Sequence, residues 1–177
     1  SDIERFRLKI EPFYLGRPKH AVASELPPLT TKRVRVGMSA VQHLKYQEAL
    51  SGLLEVGGEE KEVTKLTAVT YCQEIVNHPS LIQCEGDSEK LDELVDMLTE
   101  GDLEKDKVIV FTRFEKMVGL GVAALEKKGI KCVRITGKED EDERKEAQDI
   151  FQNPDGDVRV VWITTAGSEA INLQAAK

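Results

Sequence analysis

The sequence is poor in aromatic residues and contains no long apolar run. Aromatic side chains make up 5% of the 177 residues, and no apolar stretch approaches the ~18 residues that a membrane-spanning helix needs. A basic and then apolar N-terminus of the secretory kind is not found either. The phosphate-loop pattern G-x-x-x-x-G-K-[ST] and the acid pair D-E-x-H are both missing. We therefore expect no membrane partner and no self-contained nucleotide-hydrolysing site of the phosphate-loop class.

Cysteine is scarce as well, with only Cys72, Cys84 and Cys132, and no C-x-x-C pair occurs. An odd number of scattered cysteines is typical of reduced thiols, so we expect a cytoplasmic or nuclear protein in a reducing environment. Cys72, His78 and Cys84 are evenly spaced. A structural zinc needs four ligands and no fourth is evident, so no metal site is predicted.

Net positive charge is also lacking, since the chain carries −7 at pH 7. The acidic excess is greatest in residues 86–106, with 9 acidic and 2 basic side chains, and residues 37–85 carry 7 and 3. Residues 1–36 have 8 basic and 4 acidic side chains, and residues 107–177 have 12 of each. Binding to nucleic acid would therefore depend on local backbone N–H groups and a few placed cations, and not on the overall field.

Three short apolar runs alternate with segments of helical period between residues 107 and 173. The runs are KVIVF, KCVRI and VRVVWI, and the helical segments lie near residues 115–128 and 139–152. This alternation predicts an α/β protein with a parallel sheet. The runs at residues 108–111 and 158–163 are apolar at nearly every position, which is typical of strands buried on both faces. Ligands of such sheets bind beyond the carboxyl ends of the strands, so the loops at residues 112–114, 136–138 and 164–172 are the expected functional loops.

The first half of the sequence is predominantly helical in pattern. Ser39 is a predicted N-cap for a helix through residue 54, ended by Gly57-Gly58, and a second helix is predicted at residues 63–76. Ser88 is a predicted cap for a third helix, and residues 32–36 alternate as a short edge strand would. His78 ends the second helix, where capping is a commoner role than catalysis. The predicted buried faces of the first two helices comprise Val41, Leu44, Tyr46, Leu50, Leu66, Val69, Cys72 or Gln73, and Val76.

Five segments in order resemble one protein family. VIVFTRF, then VRITG with EDERKEAQDIFQN, then WITTAGSEAINLQAA are similar to motif IV, to the segment around "R-L-D-G … E-R … F", and to motif V of Swi/Snf-type ATPases. Upstream, IEPFYLGRPKHAVASELPPL and LTAVTYCQEIVNHPSLI resemble two further family segments. The chain thus resembles part of a Swi/Snf-type ATP-dependent DNA translocase of helicase superfamily two, and the resemblance covers nearly all of it.

The resemblance implies a domain organisation. Residues 1–36 would be the end of the first lobe and a linker, and residues 37–85 a helical insertion between the lobes. Residues 86–177 would be the second RecA-like helicase C-terminal lobe, truncated after motif V. The whole would be a fragment of a DNA-dependent ATPase that translocates on DNA or remodels DNA-bound complexes. This part would supply DNA-backbone contacts and one wall of the ATP cleft.

The resemblance also implies the site residues and partners. ATP and Mg²⁺ would bind in the parent protein, whereas the isolated chain would bind no cofactor, hold no catalytic residue and be inactive. Its partners would be double-stranded DNA, the first RecA-like lobe and a nucleoprotein complex. Ala170 stands where the family has glycine, which puts one phosphate contact in question. The implied DNA-backbone residues are Arg113, Lys138, Thr164, Gly167 and Ser168, and the implied nucleotide-facing residues are Glu169 and Asn172.

Two other functions are compatible with part of the sequence. A free-standing, catalytically inactive adaptor with a helicase-lobe fold fits the acidic segment 86–106 and the missing phosphate loop. A metabolic enzyme of the Rossmann class would need a glycine-rich turn after the first strand, and Thr112-Arg113-Phe114 supplies none.

Overall fold

The computed structural model describes residues 2–14, 29–167 and 171–176. Residues 1–35 and 36–177 form two separate compact units. In the first unit, helix α1 (Asp2–Ile10) precedes a 3-10 turn at Glu11–Phe13, and all of these residues are exposed. Residues 29–39 are irregular, so the strand predicted at residues 32–36 is wrong. Alternation of polar and apolar residues does not make a strand without a neighbouring strand to pair with.

In the second unit, helix α2 (Ala40–Ser51) begins at the predicted cap. The Ser39 hydroxyl accepts from the Gln42 N–H at 3.3 Å, and the Gln42 side chain accepts from the Ser39 N–H at 3.1 Å. The predicted end at residue 54 is wrong, because Gly52 adopts a left-handed φ of 96° and stops the helix. A hairpin follows, made of β1 (Leu53–Val56) and β2 (Glu59–Glu62). Gly57-Gly58 is its turn.

The buried face of α2 also differs from the predicted one. Its buried residues are Gln42, Lys45 and Ala49, whereas Leu44 and Leu50 are more than half exposed. Gln42 is tolerated in the core because its amide donates to the Ile75 carbonyl at 2.7 Å. The Lys45 ammonium contacts carboxylates of α2 and of the hairpin, Glu48 at 2.9 Å and Glu55 at 3.1 Å. Polar side chains thus join α2 to its neighbours.

Helix α3 (Lys65–Asn77) confirms the second predicted helix, with Thr64 as its N-cap. Its buried residues are Cys72 and Ile75, while the predicted Leu66 and Val69 are exposed. His78 caps the 3-10 turn Pro79–Ile82 through Nδ1, which accepts from the Ser80 N–H at 3.1 Å. A capping role is therefore what the structure shows for this histidine.

The remaining elements form a three-layer α/β arrangement. Ser88 caps α4 (Glu89–Thr99), as predicted, and the order continues β3 (Val108–Phe111), α5 (Glu115–Glu126), β4 (Lys131–Ile135), α6 (Glu141–Gln152) and β5 (Val158–Ile163). The strands are parallel in the order β3–β5–β4. This confirms the predicted RecA-like parallel sheet with flanking helices. Over the described stretches, no helix is long and apolar enough to cross a membrane.

Helices cover the two faces of the sheet unequally. On one face, Val160 and Trp162 of β5 pack against α4 and α5, and on the other, Val161 and Ile163 pack with Phe151 of α6. Ile109 and Phe111 of the edge strand β3 remain 38% and 55% exposed. Burial on both faces, predicted for the runs of β3 and β5, is therefore confirmed for β5 and wrong for β3. An edge strand has one neighbour, and α6 packs on β4 and β5.

Candidate nucleic-acid interface

Each of the three parallel strands is followed directly by a buried threonine. Thr112, Thr164 and Thr136 follow β3, β5 and β4, and each is less than 9% exposed. The Thr112 N–H donates to the Ile163 carbonyl at 3.0 Å, and the Thr164 N–H donates to the Ile135 carbonyl at 3.4 Å. These bonds extend the two strand ladders by one residue, so the threonines lie side by side at the carboxyl edge of the sheet. The carboxyl ends of the three strands, where the ligands of parallel sheets generally bind, therefore meet at one edge.

Thr164 belongs to the middle strand and has an unusual environment. It is 5% exposed, and its Oγ1 has no hydrogen-bond partner among the described residues. The turn that follows is a 3-10 segment, Thr165–Gly167, closed by a bond from the Gly167 N–H to the Thr164 carbonyl at 3.0 Å. The hydroxyl that was expected to contact the DNA backbone is therefore enclosed by the protein.

Gly167 is required here by backbone packing. A Cβ at this position would overlap the Ile135 carbonyl and lie 2.9 Å from the Thr136 nitrogen. The loop after β5 thus lies directly against the end of β4. Gly137 lies in the same contact, because a Cβ there would be 3.1 Å from the Ala166 Cβ.

Thr136 is fully buried, and its polar groups bind a carboxylate. Its N–H and its hydroxyl both donate to Glu139 Oε2, each at 2.6 Å, and the hydroxyl accepts from the Lys138 N–H at 3.2 Å. Glu139 Oε1 lies 3.2 Å from the Arg134 Nε. Burial raises the pKa of Glu139, but the bonds from Thr136 and the charge of Arg134 outweigh it, so the pKa is lowered overall.

The basic side chains of this edge have partners within the chain. Lys138 is exposed, with its Nζ 3.4 Å from Glu115 Oε1, and that same oxygen lies 3.2 Å from the Thr136 hydroxyl. Arg113 follows β3, and its Nη1 donates to the Gln73 side chain of α3 at 3.5 Å. A cleft of about 330 Å³ lies beside Arg113, lined also by Gln73, Lys90 and Phe111.

The predicted nucleotide-facing residues are only partly within the described residues. Asn172 is exposed, and its N–H donates to the Gln148 side chain of α6 at 3.1 Å. Glu169 and Ser168 lie outside the described residues. Within the described ranges, no group of three or more His, Cys, Asp or Glu side chains is placed to hold a metal ion. The described residues therefore do not form a Mg²⁺ site of their own.

Sequence reasoning missed four contributors to this edge: Thr112 and Thr136 as individual residues, and the carboxylates Glu115 and Glu139. A signal for the threonines was present, because threonine follows each apolar run directly. For Glu139, only a place at the start of the helical segment 139–152 was predicted. Its spacing of three residues from Thr136 suits a bond back to the strand end.

Comparison with known proteins agrees with this geometry. The model of the family "Helicase conserved C-terminal domain" matches residues 89–177, just over half of the chain. The chain belongs to the helicase conserved C-terminal domain family. Proteins similar to this chain include the ISWI chromatin-remodeling complex ATPase CHR17 of Arabidopsis thaliana, 28% identical over 194 residues. That alignment covers 98% of this chain and 18% of the relative.

Two further proteins are similar over nearly the whole of this chain. The mouse SWI/SNF-related matrix-associated actin-dependent regulator of chromatin subfamily A member 1 is 25% identical over 191 residues, covering 98% of this chain and 18% of the relative. The Sulfolobus solfataricus SWI2/SNF2 ATPase core in complex with dsDNA has the same fold, with a TM-score of 0.68 at 24% identity. It is matched over 98% of this chain and 39% of its own. These similarities confirm the resemblance to the second lobe of Swi/Snf-type ATPases.

Proposed function

We propose that this chain is the DNA-facing part of a nuclear, DNA-dependent ATPase, and that the carboxyl edge of its sheet holds the phosphates of duplex DNA. The observation that carries the proposal is the convergence of Thr112, Thr164 and Thr136 at one edge, beside Arg113 and Lys138. Hydroxyls, backbone N–H groups and single cations are the groups that hold nucleic-acid backbones without reading base sequence. Among the relatives, a DNA-bound Swi/Snf-type core has this fold and two others are named for chromatin.

ATP and Mg²⁺ enter this proposal only through the parent protein. The chain contains no phosphate loop and no acid pair, so the first lobe would bind the nucleotide and the metal. Asn172 and Glu169 would complete one wall of that cleft, opposite the first lobe. Closing and opening of the cleft would shift this lobe along DNA and so remodel a DNA-bound complex.

The test is duplex binding by this chain, measured by fluorescence anisotropy over a series of salt concentrations. Lys138→Ala should weaken binding and reduce the salt slope by about 0.9, the contribution of one phosphate contact. Arg113→Ala should do the same at the end of β3. Lys127→Ala is the matched control, because this exposed lysine lies at the carboxyl end of α5, at the opposite edge of the sheet. It should change neither affinity nor slope.

Thr164→Val is a further variant for the same binding experiment, and it leaves the charge of the chain unchanged. If the hydroxyl reaches a phosphate after the loop rearranges, the variant should bind all duplex sequences more weakly by the same factor. The salt slope should stay constant, because no cation is removed. Equal losses from Lys127→Ala and Lys138→Ala would contradict a defined interface and indicate general electrostatic attraction.

An interaction module remains the second candidate, and one feature favours it. Helices α2 and α3 border an open, mostly apolar groove of about 660 Å³, lined by Leu50, Val69 and Val76 among others. Leu50 and Val69 are exposed. Exposed apolar grooves of this kind are typical of protein-binding surfaces. Duplex binding that is absent at about 50 mM salt, where phosphate contacts are strongest, would favour this candidate over the first.

A further inference from the structure

The carboxylate of Glu139 lies at the carboxyl end of β4, against Thr136. Glu139 Oε2 accepts from the N–H and from the hydroxyl of Thr136, both at 2.6 Å, and its Oε1 lies 3.2 Å from the Arg134 Nε. Its side chain is only 12% exposed. A backbone N–H, a hydroxyl and a guanidinium are together the donors that bind a phosphate oxygen elsewhere in proteins. The carboxylate therefore has the contacts expected of a bound phosphate.

The neighbouring strand end supplies an independent sign that this edge is built for a ligand. Thr164 is 5% exposed, and its hydroxyl has no partner in the described part of the chain. Its turn lies against the same Thr136 nitrogen, because a Cβ on Gly167 would be 2.9 Å from that atom. Buried hydroxyls in proteins are generally hydrogen-bonded, so one without a partner beside an occupied donor set indicates an incomplete site.

Lys138, the second basic residue near the end of β4, also contacts a carboxylate of the chain. Lys138 Nζ lies 3.4 Å from Glu115 Oε1, and Glu115 is the first residue of α5. Both basic side chains near the end of β4, Arg134 and Lys138, thus contact carboxylates of the chain itself.

We propose that Glu139 is an internal competitor of DNA phosphate, whose carboxylate must leave Thr136 and Arg134 before a duplex can bind at the end of β4. This proposal rests on the proposed function and adds a form of regulation to it. The acid keeps the edge closed in the absence of DNA, and a phosphate takes over its donors when DNA arrives. Glu115 plays the same part for Lys138, with a longer and more exposed contact.

The experiment compares carboxylates that differ only in their contacts. Glu139→Gln removes the charge while its amide oxygen can still accept from Thr136, which protects the fold. Glu141→Gln is the matched control, because Glu141 is an exposed acid two residues further along, in the first turn of α6. Duplex binding is measured by anisotropy over a salt series, with thermal melts of every variant.

Glu139→Gln should bind duplex at least about tenfold more tightly, because its contacts with Thr136 and Arg134 are no longer charge-assisted and are easier to break. Its salt slope should be steeper by about 0.9 for each extra phosphate engaged. Glu141→Gln should change affinity less than about twofold, since it removes only an exposed charge. Glu139→Asp, which keeps the charge on a shorter side chain, should also tighten binding, and it decides the question if Glu139→Gln does not fold.

Equal tightening by Glu139→Gln and Glu141→Gln would overturn the proposal, since it would reveal a general charge effect. Unchanged or weaker binding by Glu139→Gln, with a lowered melting temperature, would also overturn it and leave Glu139 as a structural cap. In either case, weakening by Arg113→Ala but not by Lys127→Ala would leave the proposed function intact. If no form of the chain binds duplex, the proposed function and this inference fail together.

Discussion

Replacing Thr164 with valine should stabilise the fold, although the residue belongs to the proposed interface. Its hydroxyl is buried and has no partner among the described residues, and valine has almost the same shape. An unsatisfied buried hydroxyl costs roughly 1–3 kcal/mol relative to an apolar group. We therefore expect Thr164→Val to raise the free energy of unfolding by about 1 kcal/mol and the melting temperature by about 2–4 °C.

The adjacent strand offers a matched control with the opposite expected sign. Thr136 is also buried and also follows a strand directly, but its hydroxyl donates to Glu139 at 2.6 Å and accepts from the Lys138 N–H at 3.2 Å. Valine there would remove one of the bonds to the Glu139 carboxylate and leave the Lys138 N–H without its acceptor. We expect Thr136→Val to lower the free energy of unfolding by roughly 2 kcal/mol.

Urea unfolding followed by circular dichroism measures both changes, with equal m-values as the check that the comparison is valid. The difference between the two variants should be about 3 kcal/mol, well above the error of extrapolation. If Thr164→Val destabilises the chain by as much as Thr136→Val does, the Thr164 hydroxyl is bonded in the folded protein. The reasoning from an incomplete site would then be refuted.

Further predictions follow from packing, pH and the missing phosphate loop. Gly121→Ala should lower the free energy of unfolding by about 1–3 kcal/mol, because its Cβ would overlap the buried Trp162 ring. Gly119→Ala in the same helix meets open space and should raise the free energy of unfolding by up to about 1 kcal/mol. Urea unfolding of the two variants tests this, and equal effects would count against the packing argument. Burial lowers the pKa of His78 below 6.5 despite the opposing effect of two nearby aspartates, so the stability it supports is complete above pH 6.5 and is lost as the pH falls through the lowered pKa. His78→Gln should flatten the loss of stability below pH 6.5, and an unchanged slope would speak against this assignment. Calorimetry should detect no ATP binding by this chain tighter than about millimolar, and micromolar binding would be inconsistent with a nucleotide site supplied by another lobe.

The sheet could be predicted because its signals are local and agree with one another. The apolar runs of β3, β4 and β5 each precede a polar loop, and a helical segment lies between each run and the next. A parallel sheet is the common way to bury such strands. Exposure of Phe111 could not be predicted, since an edge position depends on the strand order. That order is set by long-range packing, and it places the last strand, β5, in the middle.

The hairpin after α2 shows a different limit. Gly57-Gly58 is a recognised hairpin turn signal, but Glu59–Glu62 carries four charged residues with little preference for strands. The buried face of α2 was predicted wrongly for a related reason. Gln42 is tolerated in the core because its side-chain amide donates a hydrogen bond to the carbonyl of Ile75, 33 residues away in the sequence. The helical pattern of the sequence does not contain that information.

The loops of the candidate site could be predicted from the sequence, but the hydrogen-bond partners of their side chains could not. A motif indicates that Thr164 and Thr136 occupy equivalent positions, but not that one hydroxyl has no partner while the other binds Glu139. That difference arises from side chains that the fold brings to the strand ends.

The net charge also makes the local contacts at this edge the important ones. A chain of net charge −7 gains little from its overall field when it binds a polyanion. In the proposed function a lobe that moves along DNA must also release phosphate at every step. A carboxylate that returns to its donors makes release easier, because the vacated donors are never left unsatisfied.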